Sequence, residues 1–211
     1  MNALLIFAGT ALFAGFLIAQ DLQPQPLPKP MTEGGKPLMQ CLKERRTTRE
    51  FSAEVVKPQI LSNLLWAACG INRDDGHRTA PSAMNNQETD IYVFLAEGIY
   101  RYDAQTHALT PVQAGDCRAA AGRQEFVKDA PVNLVYVADL SKMGDMSASD
   151  KDLYSAADVG FIAQNVYLYC ASEGLDCVVQ GWIDRDQLAQ TLKLTKNHKV
   201  ILAQTVGYPW K

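Results

Sequence analysis

The succession of helix-like and strand-like segments constrains the fold of this chain more than any other feature. Four segments carry apolar residues at helical spacing, and the others have the alternating or continuous apolar pattern of strands. The helical segments are residues 38–45, 58–70, 153–173 and 184–192, and the strand segments are a hairpin at 91–102 and strands at 132–138, 176–179 and 199–206. This alternation predicts an α+β domain built on a mixed sheet.

The composition restricts the number of domains and the classes of partner. With 211 residues, of which 47% are hydrophobic and 20% charged, the chain has the size and apolar content of one globular domain with a full core. Its formal net charge of −3 lacks the basic excess typical of nucleic-acid binding. We therefore expect a small-molecule substrate and no nucleic-acid partner.

An almost unbroken apolar run, residues 3–19, opens the chain, and a proline-rich tract follows it. The run is short for a membrane span and long enough for a signal-peptide core, although no Lys or Arg precedes it. We predict a signal peptide over residues 1–19, with an uncleaved anchor as the alternative, and an extended Pro-rich spacer over residues 20–33. The folded domain is then residues 34–211. We expect an exported protein, periplasmic or secreted, which contacts a membrane only if the first segment is uncleaved.

The five cysteines show no Cys-x-x-Cys spacing. Three of them, Cys41, Cys69 and Cys170, stand in apolar contexts and are expected to be small buried side chains. In an exported protein a bridge between Cys170 and Cys177, or another pairing, stays open, because sequence does not fix connectivity. The three histidines stand singly, so no metal site is predicted.

Two polar segments, residues 45–51 and residues 78–87, are the candidate functional residues. The first places three arginines and two threonines within a few positions, a dense set of donors for a phosphate or another anion. The second is rich in small and amide side chains that could meet a flat ring with polar edges. Taken alone, the first is also typical of a solvated basic surface and the second of an Asn-rich turn. Together they suggest a phosphorylated aromatic cofactor.

With these two segments, residues 173–181 and the terminal Val206-Gly207-Tyr208-Pro209 complete a pattern that resembles the nitroreductase-like family of flavin mononucleotide (FMN) enzymes, from about residue 38 to 209. Residues 98–103 are similar to the branch related to thiazole/oxazole-forming dehydrogenases. The resemblance implies a central, mainly antiparallel sheet flanked by helices. It also implies a homodimer with FMN at the subunit boundary, for which residues 156–163 are our candidate dimer core.

The resemblance also implies a set of cofactor-binding residues. The positions that match are Arg45, Arg46, Thr47, Arg49, Pro81, Ser82, Ala83, Met84, Asn85, Gln87, Gln180, Gly181 and Lys211. The first three match the phosphate and ribityl contacts, Arg49 matches the contact to flavin N1 and O2, and Asn85 matches the contact to the pyrimidine edge. Ser82, Ala83 and Met84 are expected to lie along the cofactor.

The later motifs complete this expectation. Gln180 and Gly181 match the residues that place backbone amides at flavin N5 and O4, and Lys211 is the one C-terminal candidate for the phosphate. Many relatives have Pro-Trp after the glutamine, where this chain has Glu88-Thr89.

The function implied is two-electron, hydride-type transfer through flavin N5 from a reduced donor, with NAD(P)H as one candidate, to an electron-poor acceptor such as a nitroaromatic or quinone. No protein side chain need be catalytic, because the flavin supplies the difficult step. Two alternatives stay open. One is a non-catalytic flavin-binding module, and the other is a structural domain with an empty cleft.

Overall fold

The computed structural model of the protein describes residues 22–210. The predicted signal peptide and Lys211 therefore lie outside the described residues.

A seven-stranded sheet forms the centre of the molecule. Its strands are β1 (Gln25–Pro26), β2 (Thr89–Leu95), β3 (Gly98–Asp103), β4 (Ala108–Ala114), β5 (Val132–Asp139), β6 (Asp176–Gln180) and β7 (His198–Gly207). Their spatial order is β1-β4-β3-β2-β5-β7-β6, and every neighbouring pair among these strands is antiparallel. The mainly antiparallel sheet is confirmed, but the expectation of a mixed sheet is wrong. The helix between β6 and β7 joins antiparallel neighbours rather than parallel ones.

Four α-helices flank the sheet: α1 (Leu38–Glu44), α2 (Pro58–Cys69), α3 (Ala148–Glu173) and α4 (Arg185–Thr191). The predicted helices are thus all present, and α3 begins five residues before its predicted start. It begins there because the Ser147 side chain accepts a hydrogen bond from the Asp150 amide, and it ends at Gly174 with φ of 70°. None of the helices within residues 22–210 is long and apolar enough to cross a membrane.

Both faces of the sheet are covered. On one face, α2 and α3 pack over a core that includes Leu64, Val159 and Leu134. On the other face, α4 and short 3₁₀ turns cover a second cluster that includes Val135 and Leu188. Consecutive residues of β5 therefore alternate between two apolar cores, which explains why this strand is apolar throughout.

The described part of the Pro-rich segment, residues 22–33, contacts the domain rather than standing apart as a spacer. β1 adds to β4, the Leu27 amide donates to the His107 carbonyl at 3.1 Å, and the Met31 amide donates to Asn63 Oδ1 at 2.9 Å. Leu22 and Leu27 pack against the main core. The expected domain start at residue 34 is therefore too late, because the segment still offers apolar side chains and free backbone groups between its prolines.

Candidate functional site

The arginine-rich run is an irregular loop that follows α1 and is held in place by Tyr167 of α3. The Arg45 guanidinium lies over the Tyr167 ring, 5.2 Å from its centroid. Thr47 Oγ1 lies 3.0 Å from the Tyr167 hydroxyl, which also accepts a hydrogen bond of 2.9 Å from the Val179 amide on β6. One hydroxyl therefore joins the arginine run, the long helix and the edge strand β6.

A cleft of about 370 Å³ opens beside this junction. Its walls include Lys36, Arg46, Tyr167 and Asp176. The Arg46 side chain is 71% exposed, and its guanidinium is 3.7 Å from the Asp176 carboxylate. Arg49 is exposed, and no hydrogen bond or ion pair within residues 22–210 restrains its guanidinium. The run thus presents cationic donors that the rest of the described chain does not fully use.

The C-terminal strand fixes the other end of the run. Phe51 forms an isolated β-bridge with Pro209, and the Ser52 amide donates to the Tyr208 carbonyl at 2.9 Å. The Phe51 ring is buried and packs against Phe126 at a centroid distance of 5.5 Å. Phe51 is therefore a packing residue that holds the end of the run against the C-terminal segment.

The second segment forms a loop, residues 82–87, that is crossed by its own hydrogen bonds. Its backbone is left-handed at Met84, Asn85 and Gln87, with φ of 53°, 55° and 49°. The Gln87 amide donates to Ser82 Oγ at 3.0 Å, and the Gln87 side chain donates to Asn85 Oδ1 at 3.1 Å. Arg78 Nε closes the loop by donating to Gln87 Oε1 at 3.0 Å. The loop presents Met84, which is 83% exposed, and Asn85 to solvent.

Two buried acids support this loop from below. The Ala83 amide donates to Asp158 Oδ2 of α3 at 2.9 Å, and the neighbouring Glu88 is completely buried. Burial is the main reason that the pKa of each carboxyl is raised, and for Glu88 the nearby Asp158 charge raises the pKa further.

The end of β6 is held in place by the side chain of Gln180. The Gln180 side chain faces away from α3, into the second core, where its amide donates to Thr205 Oγ1 at 2.6 Å. It therefore anchors the strand end, and only backbone atoms of this residue are available to a ligand. Gly181 is exposed, and a Cβ added there would meet only Leu202, at 3.7 Å. The described chain thus leaves room at Gly181 for a ligand to approach the backbone closely.

A single chain brings some of the predicted site residues together and leaves others apart. The arginine run meets the end of β6 through Tyr167, whereas the loop of residues 82–87 meets α3 at Asp158. These two anchors are nine residues apart in one helix, about 13 Å along its axis. Within one chain, the segments that carry Asn85 and Arg45 are therefore anchored at separate positions of α3.

Sequence reasoning missed four residues that hold these segments: Tyr167, Asp176, Glu88 and Asp158. The replacement of Pro-Trp by Glu88-Thr89 was the one signal that pointed to any of them. The other three act through contacts between residues far apart in sequence.

The cysteines are unbridged within residues 22–210, and Cys41, Cys69 and Cys170 are buried, as predicted. Burial raises the pKa of the Cys69 thiol. In the same part of the chain, no group of three or more His, Cys, Asp or Glu side chains is arranged to hold a metal ion.

Comparison of this sequence with known proteins identifies a matching family and relatives. The sequence model of the Nitroreductase family matches residues 42–208. A protein of Methanocaldococcus jannaschii that is named a nitroreductase is 30% identical over an aligned length of 175 residues, and the match covers 78% of this chain and 88% of that protein.

Solved structures agree with this match. A crystal structure from Ralstonia eutropha that is also named a nitroreductase superposes with a TM-score of 0.86 at 42% identity, over 92% of this chain and 93% of that one. A third, from Desulfovibrio desulfuricans and solved with FMN, has a TM-score of 0.59 at 24% identity over 84% and 89% of the two chains. At that identity the last likeness shows the fold alone.

Proposed function

The chain belongs to the nitroreductase family of flavin-dependent oxidoreductases, and we propose that it uses FMN to pass two electrons from a reduced donor to an electron-poor acceptor. The observation that carries this proposal is the arginine run, which Tyr167 fixes beside a cleft and beside the end of β6. NAD(P)H is the proposed donor, and a quinone or a nitroaromatic is the proposed acceptor.

The residues present fit FMN by the chemistry of their donors. Arg45, Arg46 and Thr47 supply guanidinium and hydroxyl donors that match a phosphate and a ribityl chain. Asn85 supplies an amide that matches the polar edge of a flavin ring, and Gly181 leaves space for a ring to approach the backbone. When bound, FMN supplies the hydride-accepting and hydride-donating atom, N5.

Arg49 is proposed to stabilise the negative charge that reduction places on the N1–O2 edge of the flavin. Its guanidinium has no partner within residues 22–210 and is free to meet that edge. Because arginine does not lose its proton in a protein, this stabilisation persists at any working pH. The chain's own residues therefore bind, orient and stabilise by charge, and none is required as an acid, base or nucleophile.

We also propose a homodimer through α3. One face of this helix carries Leu153, Ala157, Gly160 and Phe161 at helical spacing, and no part of the described chain covers them. Leu153 is 63% exposed and Phe161 is 49% exposed, a large apolar area for a monomer. Ala163, which the sequence pattern grouped with this face, is instead buried against the sheet.

A dimer would also account for the separation of Asn85 from Arg45, since a partner's loop could complete each flavin site. Light scattering on a sizing column measures the mass directly. A monomeric mass for protein that binds FMN would contradict this part of the proposal.

Export of the protein rests on residues 1–19 alone and is likewise a proposal. Fractionation of expressing cells tests it. Full-length protein that stays in the cytoplasm would contradict it.

The visible spectrum of purified protein tests the cofactor. Bands of oxidised flavin that dithionite removes support FMN, and protein that stays colourless after incubation with FMN favours a structural domain with an empty cleft. Steady-state oxidation of NADH or NADPH with added quinone or nitroarene then separates an enzyme from a non-catalytic flavin-binding module.

A further inference from the structure

A pair of buried carboxyl groups lies under the loop of residues 82–87. Glu88, which follows this loop, is completely buried, and Asp158 of α3 is 3% exposed. The two carboxyl groups are close enough that the negative charge of Asp158 raises the pKa of Glu88. Two carboxylates so close in a buried site repel each other strongly, which favours retention of one proton.

The hydrogen bonds around the pair indicate where that proton sits. Asp158 Oδ2 accepts a hydrogen bond of 2.9 Å from the Ala83 amide, and an ionised carboxylate is a good acceptor for such a bond. Glu88 Oε1 meets the Thr89 hydroxyl at 3.4 Å, but the buried Oε2 atom of Glu88 has no partner as a bare acceptor. A proton on Glu88 turns this unpaired oxygen into a donor to Asp158, and the unsatisfied buried atom disappears.

The described groups around Glu88 and Asp158 do not supply a bonded positive charge that would balance two carboxylates. The Cys69 thiol on α2 and the Arg78 guanidinium line one small cavity with Asp158, and Cys69 also lies near Glu88 and near the Asp90 carboxylate on β2. Arg78 donates to the Cys69 sulfur at 3.2 Å and to a side-chain amide of the loop. From β5, the contact to Glu88 is the Asp139 amide, which donates to the Glu88 carbonyl at 2.9 Å. No cation within residues 22–210 is hydrogen-bonded to either buried carboxyl.

We propose that Glu88 and Asp158 share one proton, and that this carboxyl–carboxylate hydrogen bond clamps the loop of residues 82–87 onto α3 in the conformation that presents Asn85 to the flavin. The inference rests on the proposed function, and it makes the pair positioning residues. Left-handed backbone at Met84, Asn85 and Gln87 is unfavourable for residues other than glycine, so the loop needs such a restraint.

The clamp predicts a direction for the effect of pH. Because the pKa of both carboxyls is raised in the folded protein, the folded state retains a proton that the unfolded chain releases. The contribution of the pair to stability is therefore fully present below the ordinary carboxyl range, and it is lost as the pH rises through the folded pKa. At high pH the two carboxylates repel each other, and the Ala83 contact loosens.

Glu88→Gln is the informative variant, because its amide donates to Asp158 as the protonated acid does but cannot ionise. Glu125→Gln is the matched control, since the Glu125 side chain is 95% exposed and forms only a surface ion pair with Lys128. Two quantities are measured for each protein from about pH 5 to about pH 10. One is the protection of the Ala83 amide from hydrogen exchange, corrected for the intrinsic rate, and the other is the FMN dissociation constant.

In the wild type and in Glu125→Gln, we expect Ala83 protection to fall roughly tenfold with rising pH, and FMN affinity to fall with it. In Glu88→Gln both quantities should lose this dependence, so that its affinity exceeds that of the wild type at the alkaline end. The second ionisation of the FMN phosphate affects all three proteins equally and cancels in the comparison.

Equal pH dependence of Ala83 protection in the wild type and in Glu88→Gln overturns the shared proton. Protection that changes as expected while the FMN affinities of wild type and Glu88→Gln stay equal at every pH overturns the positioning role. Wild-type protein that binds no flavin overturns the proposed function and, with it, the positioning role. The exchange measurement still decides on the shared proton in that case, so the two failures are distinguishable.

Discussion

Removing the Tyr167 hydroxyl should weaken both the fold and the proposed cofactor site. In Tyr167→Phe, the Val179 amide and Thr47 Oγ1 lose hydrogen bonds of 2.9 and 3.0 Å. Thr47 is exposed and rebonds to water, whereas the half-buried Val179 amide is left without an acceptor. One lost bond and one desolvated donor together predict a loss of about 2 kcal/mol in the free energy of unfolding. The ring remains, so the contact with Arg45 persists.

The assay is urea unfolding together with FMN titration. Tyr154→Phe is the control, because Tyr154 is on the same helix, is 41% exposed and makes no hydrogen bond within the described residues. We expect the FMN dissociation constant of Tyr167→Phe to rise roughly three- to tenfold, since the arginine run loses one of its anchors. Equal unfolding free energies and FMN affinities for the two variants would refute the role of Tyr167 as the anchor.

Three further changes test other parts of the site and fold. Replacing Arg45 with Ala should weaken FMN roughly ten- to a hundredfold and riboflavin much less, because the lost bond is to the phosphate; equal losses in the two titrations contradict this. The Arg49→Gln variant should bind oxidised FMN with a modest loss of affinity, and its two-electron reduction potential should become more negative by about 30 mV for each tenfold loss of preference for the reduced ring. An unchanged or more positive midpoint potential in a dye-equilibrated titration would exclude this role of Arg49. A chain that lacks residues 1–30 should have a free energy of unfolding roughly 3 kcal/mol lower than a chain that lacks only residues 1–21, because Leu22, Leu27 and the strand β1 are lost. Identical urea midpoints for the two truncated chains would show that residues 22–30 do not stabilise the fold.

The sequence predicted the helices and the inner strands well because their periodic patterns are strong. It missed β4, which includes Pro111 and has few buried side chains. Proline is tolerated there because, among residues 22–210, only the two-residue strand β1 covers the outer side of β4. The Pro-rich segment was predicted to be a spacer because a proline-rich sequence has no hydrophobic periodicity that would indicate a surface on which it packs.

At the candidate site, the position of the arginine run could be predicted from the sequence, but what holds it could not. Thr47 and Tyr167 are 120 residues apart in the sequence, and no local pattern shows which tyrosine of α3 contacts the arginine run. The direction of the Gln180 side chain follows from the alternation of β6 between two cores, which becomes evident only when both faces of the sheet are known to be buried.

Anaerobic reduction of the FMN-loaded protein by NADH or NADPH tests the central claim most directly. We predict that the absorption bands of oxidised flavin disappear when one of these donors is added, and that they return when a quinone or nitroarene follows. Bands that persist with both donors but are removed by dithionite would contradict the claim, and they would identify the chain as a flavin-binding protein without this turnover.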